Sequence, residues 1–140
     1  MSGRTWTTGP NVELTLSNGA SGSQIEALDG IIDTGASVIC ADSRIAARLG
    51  LVASNRKSVQ MADGRVVKSS VYIAKMTIRA LGFDDYVEIF GIEMEYPSIR
   101  VLIGRSFLRN YIVNYDGPRE RFEFHETNRG NEFYYPDHDE

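Results

Sequence analysis

The sequence predicts a single, mainly β domain, and three observations carry that prediction. Short segments alternate apolar and polar residues with a period of two, Asp-Gly and small-residue clusters punctuate them, and helical periodicity appears in only two brief stretches. A length of 140 residues suits one domain with a real core and leaves no room for two lobes of ordinary size.

Taken in order, residues 12–16 set Val12, Leu14 and Leu16 against Glu13 and Thr15, the signature of a half-buried strand. Residues 17–23 are Ser, Asn, Gly and Ala throughout, so the chain reverses there and returns as a second strand over residues 24–32. Residues 42–51 read as a short helix, with Asp42 or Ser43 as N-cap and Gly50 as its C-terminal stop. Residues 58–78 read as a hairpin, broken at Asp63-Gly64, a dipeptide favoured where both turn residues take positive φ. Strands follow at residues 86–92 and 100–103, a short helical pattern at 105–110, and a hairpin of residues 111–115 and 121–125 about Asp116-Gly117-Pro118. The domain organisation expected is an arm at residues 1–11, the folded domain at 12–125 and an acidic tail at 126–140, either a disordered end or a segment that pairs across an interface.

Composition excludes several classes. No apolar run is long enough to cross a bilayer, and residues 1–11 lack the basic start and apolar stretch of a secretory signal, so the chain reads as cytoplasmic. The net charge of −4, with Lys and Arg dispersed, argues against a nucleic-acid partner. His125 and His138 and the acidic residues show no metal-ligand spacing, and no cofactor motif occurs. The single cysteine, Cys40, sits in the apolar run Val38-Ile39-Cys40-Ala41 and reads as a small core residue.

The chemistry-bearing segment is Ile31-Ile32-Asp33-Thr34-Gly35-Ala36-Ser37. A carboxylate emerging from a buried strand is costly unless something compensates it, so Asp33 is either a solvated strand-ending cap or a functional acid. Its surroundings favour the second. Asp33-Thr34-Gly35-Ala36-Ser37 resembles the active-site motif of the aspartic proteases, and Val101-Leu102-Ile103-Gly104-Arg105 resembles the second signature of the retropepsin-like branch. Between them, Met61-Ala62-Asp63-Gly64-Arg65 forms a hairpin tip where that family carries its flap.

The resemblance implies a closed acid-protease barrel with a flap hairpin and one or two short helices, acting as a homodimer on peptide or protein substrates and open to pepstatin-type inhibitors. One Asp-Thr-Gly per chain, with no second Asp-Thr-Gly or Asp-Ser-Gly, agrees with an enzyme whose catalytic pair is built from two subunits. By resemblance, Asp33, Thr34 and Gly35 are catalytic: Asp33 supplies half of the pair, Thr34 fixes the opposing loop across the dimer axis, and Gly35 lets substrate backbone approach. Ala36, Ser37, Met61, Ala62, Asp63, Gly64 and Ile103 would line the substrate, and Gly104 and Arg105 would support the loop.

Two departures from the family pattern stand out. Ala36 occupies a place where pepsin-like enzymes carry a hydroxyl that donates to the carboxylate, which predicts a less acidic pH optimum. Ser37 stands near where the retroviral arginine finds its acidic partner, leaving Arg105 a different carboxylate, a backbone carbonyl or solvent. Two other readings remain at this point: an inactive retropepsin-like dimerisation or peptide-binding module, and a small β-barrel binding protein unrelated to proteolysis.

Overall fold

The computed structural model describes residues 4–60, 63–93 and 100–126. Strand β1 is Thr5–Thr8, β2 Asn11–Ser17, β3 Gln24–Ile32 and β4 Cys40–Asp42, followed by helix α1, Ser43–Leu49. Next come β5 (Asn55–Gln60), β6 (Val66–Ile78), a 3-10 turn at Arg79–Leu81, and β7 (Phe83–Ile92). Strand β8 (Arg100–Ile103), helix α2 (Arg105–Leu108), β9 (Tyr111–Asp116) and β10 (Arg121–Glu126) complete the described chain.

Six strands in the order β2-β3-β8-β4-β7-β6 close into a barrel through a final β2–β6 pairing. The barrel is mixed: β3–β8 and β4–β7 run parallel and the other pairs antiparallel. The length of β6 explains how one strand serves two purposes. Its later residues Lys75 to Thr77 seal the barrel against β2, while Val66 to Val71 pair with β5 in a hairpin whose Val59 and Val71 pack on Cys40 and Phe90. The alternation read in β2 is realised, with Val12, Leu14 and Leu16 buried beside Met76, Ile78, Ile89, Val101 and Ile103. Helix α1 closes one side with Ile45, Ala46 and Leu49; Asp42 accepts the Arg44 N–H at 2.9 Å as N-cap, and Gly50 ends the helix at φ 68°.

In a second sheet, β1-β10-β9, Trp6 and Phe124 each meet Tyr111 edge-to-face, and Tyr111 in turn packs on Phe107 of α2, which meets Phe83 of β7. Part of the N-terminal segment read as an arm is thus a paired strand, with Thr5 to Thr8 matched to His125 to Phe122. Sequence periodicity did not reveal it, because TWTT is too short to display a period. Three further differences have physical causes. Strand β5 starts at Asn55 instead of residue 58, since its exposed polar residues carry no alternation, and β7 starts at Phe83 after a 3-10 turn that Gly82 ends at φ 62°. Among the described residues of the β5–β6 tip only Gly64 takes positive φ, at 93°; Asp63 instead accepts the Arg65 N–H at 2.9 Å and pairs with its guanidinium at 2.7 Å. The tail beyond Glu126, like Met61 and Ala62, lies outside the described residues.

Candidate active site

Strands β3 and β4 are consecutive in the chain yet not neighbours, because β8 lies between them, parallel to one and antiparallel to the other. Residues 33–39 must therefore arch over the end of β8, and this crossing positions Asp33. The arch is pinned along its length. Asp33 N–H donates to the Ile103 carbonyl at 3.0 Å, Arg105 N–H to the Ala36 carbonyl at 2.8 Å, and Ser106 N–H to the Ser37 carbonyl at 3.0 Å. Gly104 sits directly beneath, where a Cβ would run into the Ala36 and Val38 carbonyl oxygens.

Within the arch, the Ala36 N–H closes a turn onto the Asp33 carbonyl at 3.1 Å, and the Asp33 carboxylate accepts the Gly35 N–H through Oδ1 at 2.9 Å. That bond orients the carboxylate. Arg105 Nη1 donates to the Thr34 carbonyl at 2.7 Å, so of the three partners left open by the sequence the arginine takes a backbone carbonyl. Asp33 is half-buried, whereas Thr34 and Gly35 are exposed.

The carboxylate stands at a mostly apolar cleft of about 80 Å3, walled by Ala36, Ser37, Val38, Cys40, Val59 and Leu102 among others. Burial, with a smaller contribution from the Asp33 charge, pushes the Cys40 thiol up to about 11, so it is a neutral wall residue and not a nucleophile.

A sequence model of the gag-polyprotein putative aspartyl protease family matches residues 18–110, from the β2–β3 turn through α2. The chain belongs to this family. No curated protein matches it.

In this gag-polyprotein aspartyl protease homologue, both sequence signatures fall on one structural crossing: Asp33, Thr34, Gly35, Ala36 and Ser37 form the arch, and Gly104 and Arg105 hold it from below. The barrel and its two short helices agree with a retropepsin-like fold. Ile103 is placed differently from expectation. It is fully buried in the barrel core and meets the site only through its carbonyl, while its neighbour Leu102 faces the cleft. Asp63 and Gly64 lie exposed at the hairpin tip, and the described hairpin residues that reach the Asp33 cleft are Val59 and Gln60 of β5. Val38, Cys40, Val59, Gln60 and Leu102 are therefore cleft residues that the sequence did not single out. For Leu102 the run Val-Leu-Ile offers no alternation to say which side chain faces out; for Val59 the only signal was its place beside the hairpin tip.

Proposed function

We propose that the chain is an aspartic endopeptidase that works as a homodimer, with one Asp33 from each copy forming the catalytic pair. The observation that carries this reading is the Asp33 carboxylate at the mouth of an apolar cleft, on an arch held by both family signatures. Membership of an aspartyl protease family supports it. Because the sequence holds one Asp-Thr-Gly, the second carboxylate has to come from another copy.

Two carboxylates a few ångströms apart cannot both ionise cheaply, so the pair holds one proton between them; the aspartic proteases are the standard example of this split. The ionised member takes a proton from a water that attacks the scissile carbonyl, and the protonated member donates to the developing oxyanion. Peptide hydrolysis then proceeds without a covalent intermediate. The Gly35 N–H bond to Oδ1 leaves Oδ2 as the oxygen available to the water. An apolar side chain of an extended substrate fits the cleft between Val38, Val59 and Leu102, and the hairpin of β5 and β6 covers it. Thr34, at the crest of the arch, would contact the second copy, a role that its exposure supports. With Ala36 donating no hydroxyl hydrogen bond to the pair, the activity profile peaks outside strong acid.

Wild-type and Asp33→Asn proteins incubated with a diverse peptide pool across pH, with and without a pepstatin-type inhibitor, test this reading. Cleavage by the wild type alone, at concentrations where sedimentation shows a dimer, supports it. Dimeric wild type that cleaves nothing at any pH overturns it in favour of an inactive binding module.

A further inference from the structure

A second and larger cavity, of about 430 Å3, opens beside the β5–β6 hairpin where β7 stops. Strand β7 meets β6 only from Ser70 onward, so residues 66–69 of β6 have β5 on one side and no strand on the other among the described residues. Arg56, Arg65, Lys68, Ser69, Ser43 and Glu93 line the opening. Arg65 is neutralised by Asp63, but Arg56 and Lys68 have no carboxylate partner among the described residues, in a chain whose net charge is −4. Glu93 is the lone acid among those lining residues, which leaves the groove net positive.

One further observation points to a ligand. Ser69 is 3% exposed and its hydroxyl makes no hydrogen bond among the described residues. A buried polar group is seldom left unpaired without a functional reason.

We infer that this groove binds an acidic, extended segment of the substrate: its carboxylates on Arg56 and Lys68, its backbone along the open edge of β6, and a polar group on the Ser69 hydroxyl. Strand addition to an exposed edge supplies the backbone bonds, and the unpaired cations supply the preference for acid. The hairpin joins the groove to the cleft at Asp33, because Val59, which lines that cleft, is paired in register with Val67, which lines the groove. A peptide leaving the cleft along the hairpin therefore passes the cations. A polyanion such as nucleic acid fits poorly, since the two unpaired cations form no continuous stripe and the surrounding chain is acidic.

This inference rests on the endopeptidase reading, and its test separates the two. Fluorescein-labelled peptides with the same apolar centre, flanked by three Glu in one and three Gln in the other, are titrated by anisotropy into Asp33→Asn protein. Two partly exposed ion pairs predict about tenfold tighter binding of the Glu peptide at low ionic strength, a gap that closes near 0.5 M salt. Arg56→Gln with Lys68→Gln should abolish that gap without weakening the Gln peptide, and Ser69→Ala should weaken both peptides. Equal binding of the two peptides, binding of neither, or a preference that survives the double substitution overturns the inference. Wild type that cleaves both peptides with equal kcat/KM would sink the groove and leave the peptidase standing. A Glu preference in Asp33→Asn protein whose wild type cleaves nothing would do the reverse.

Discussion

Replacing Gly104 by Ala isolates the contact on which the Asp33 arch depends. Gly104 has φ −95° and ψ −169°, extended backbone that any residue adopts, so the substitution carries no conformational penalty. Its whole effect is steric. The added Cβ would stand 2.6 Å from the Ala36 oxygen and 2.9 Å from the Val38 carbonyl carbon, and nearest of all to the Val38 oxygen. These are backbone atoms, which cannot swing away as a side chain does. Since such contacts start near 3.0 Å, the Ala36 carbonyl has to retreat by about 0.4 Å, which stretches the 2.8 Å bond it accepts from Arg105 N–H. Overpacking costs about 1–3 kcal/mol and a weakened hydrogen bond adds up to ~1 kcal/mol, giving roughly 2–3 kcal/mol in all. With a urea dependence of about 1.5–2 kcal/mol per molar, the unfolding midpoint should fall by about 1–2 M. Gly64→Ala is the contrast: it has φ 93° but open space around it, so it costs about 1 kcal/mol and leaves the arch untouched. A Gly104→Ala midpoint within about 0.3 M of wild type, or one higher than that of Gly64→Ala, would refute the steric account.

Two other expectations follow from the same geometry. Arg105→Met removes the 2.7 Å bond to the Thr34 carbonyl and should lower stability by about 1 kcal/mol, with Arg105→Lys restoring part of it; urea unfolding that is unchanged in the Met variant would remove the arginine from the arch's support. Burial chiefly pushes the Cys40 thiol up from its ordinary 9.0 to about 11 in the folded protein. A raised folded-state value means that its contribution is fully present below about pH 9 and is lost as pH climbs toward 11. Wild type should lose roughly 2–3 kcal/mol over that window beyond any loss in Cys40→Ala, measured by denaturant unfolding at each pH. Parallel pH curves for the two proteins would show that the thiol ionises freely in the fold.

Much of the fold was legible because its signals are local. The period of two in β2, the Asp42 cap and Gly50 stop of α1, and the Asp-Thr-Gly and apolar-apolar-Gly-Arg segments each lie within a few residues. Strand β4 was not legible: it is three buried residues whose pairing with β7 and β8 depends on partners distant in sequence. Nor was β1, a strand only because β10 returns beside it.

The candidate site divides in the same way. Sequence named the acid, its loop and the glycine and arginine beneath it, since these residue types are dictated by chemistry and close backbone approach. Tertiary structure decided that Leu102 and not Ile103 faces the cleft, because the facing of a uniformly apolar strand is set by what packs on each side. It also decided that Arg105 spends its charge on the Thr34 carbonyl, a partner 71 positions earlier in the chain. That contact exists because β8 is threaded between β3 and β4, which brings the two motifs to a single crossing, and no periodicity along the chain encodes such threading.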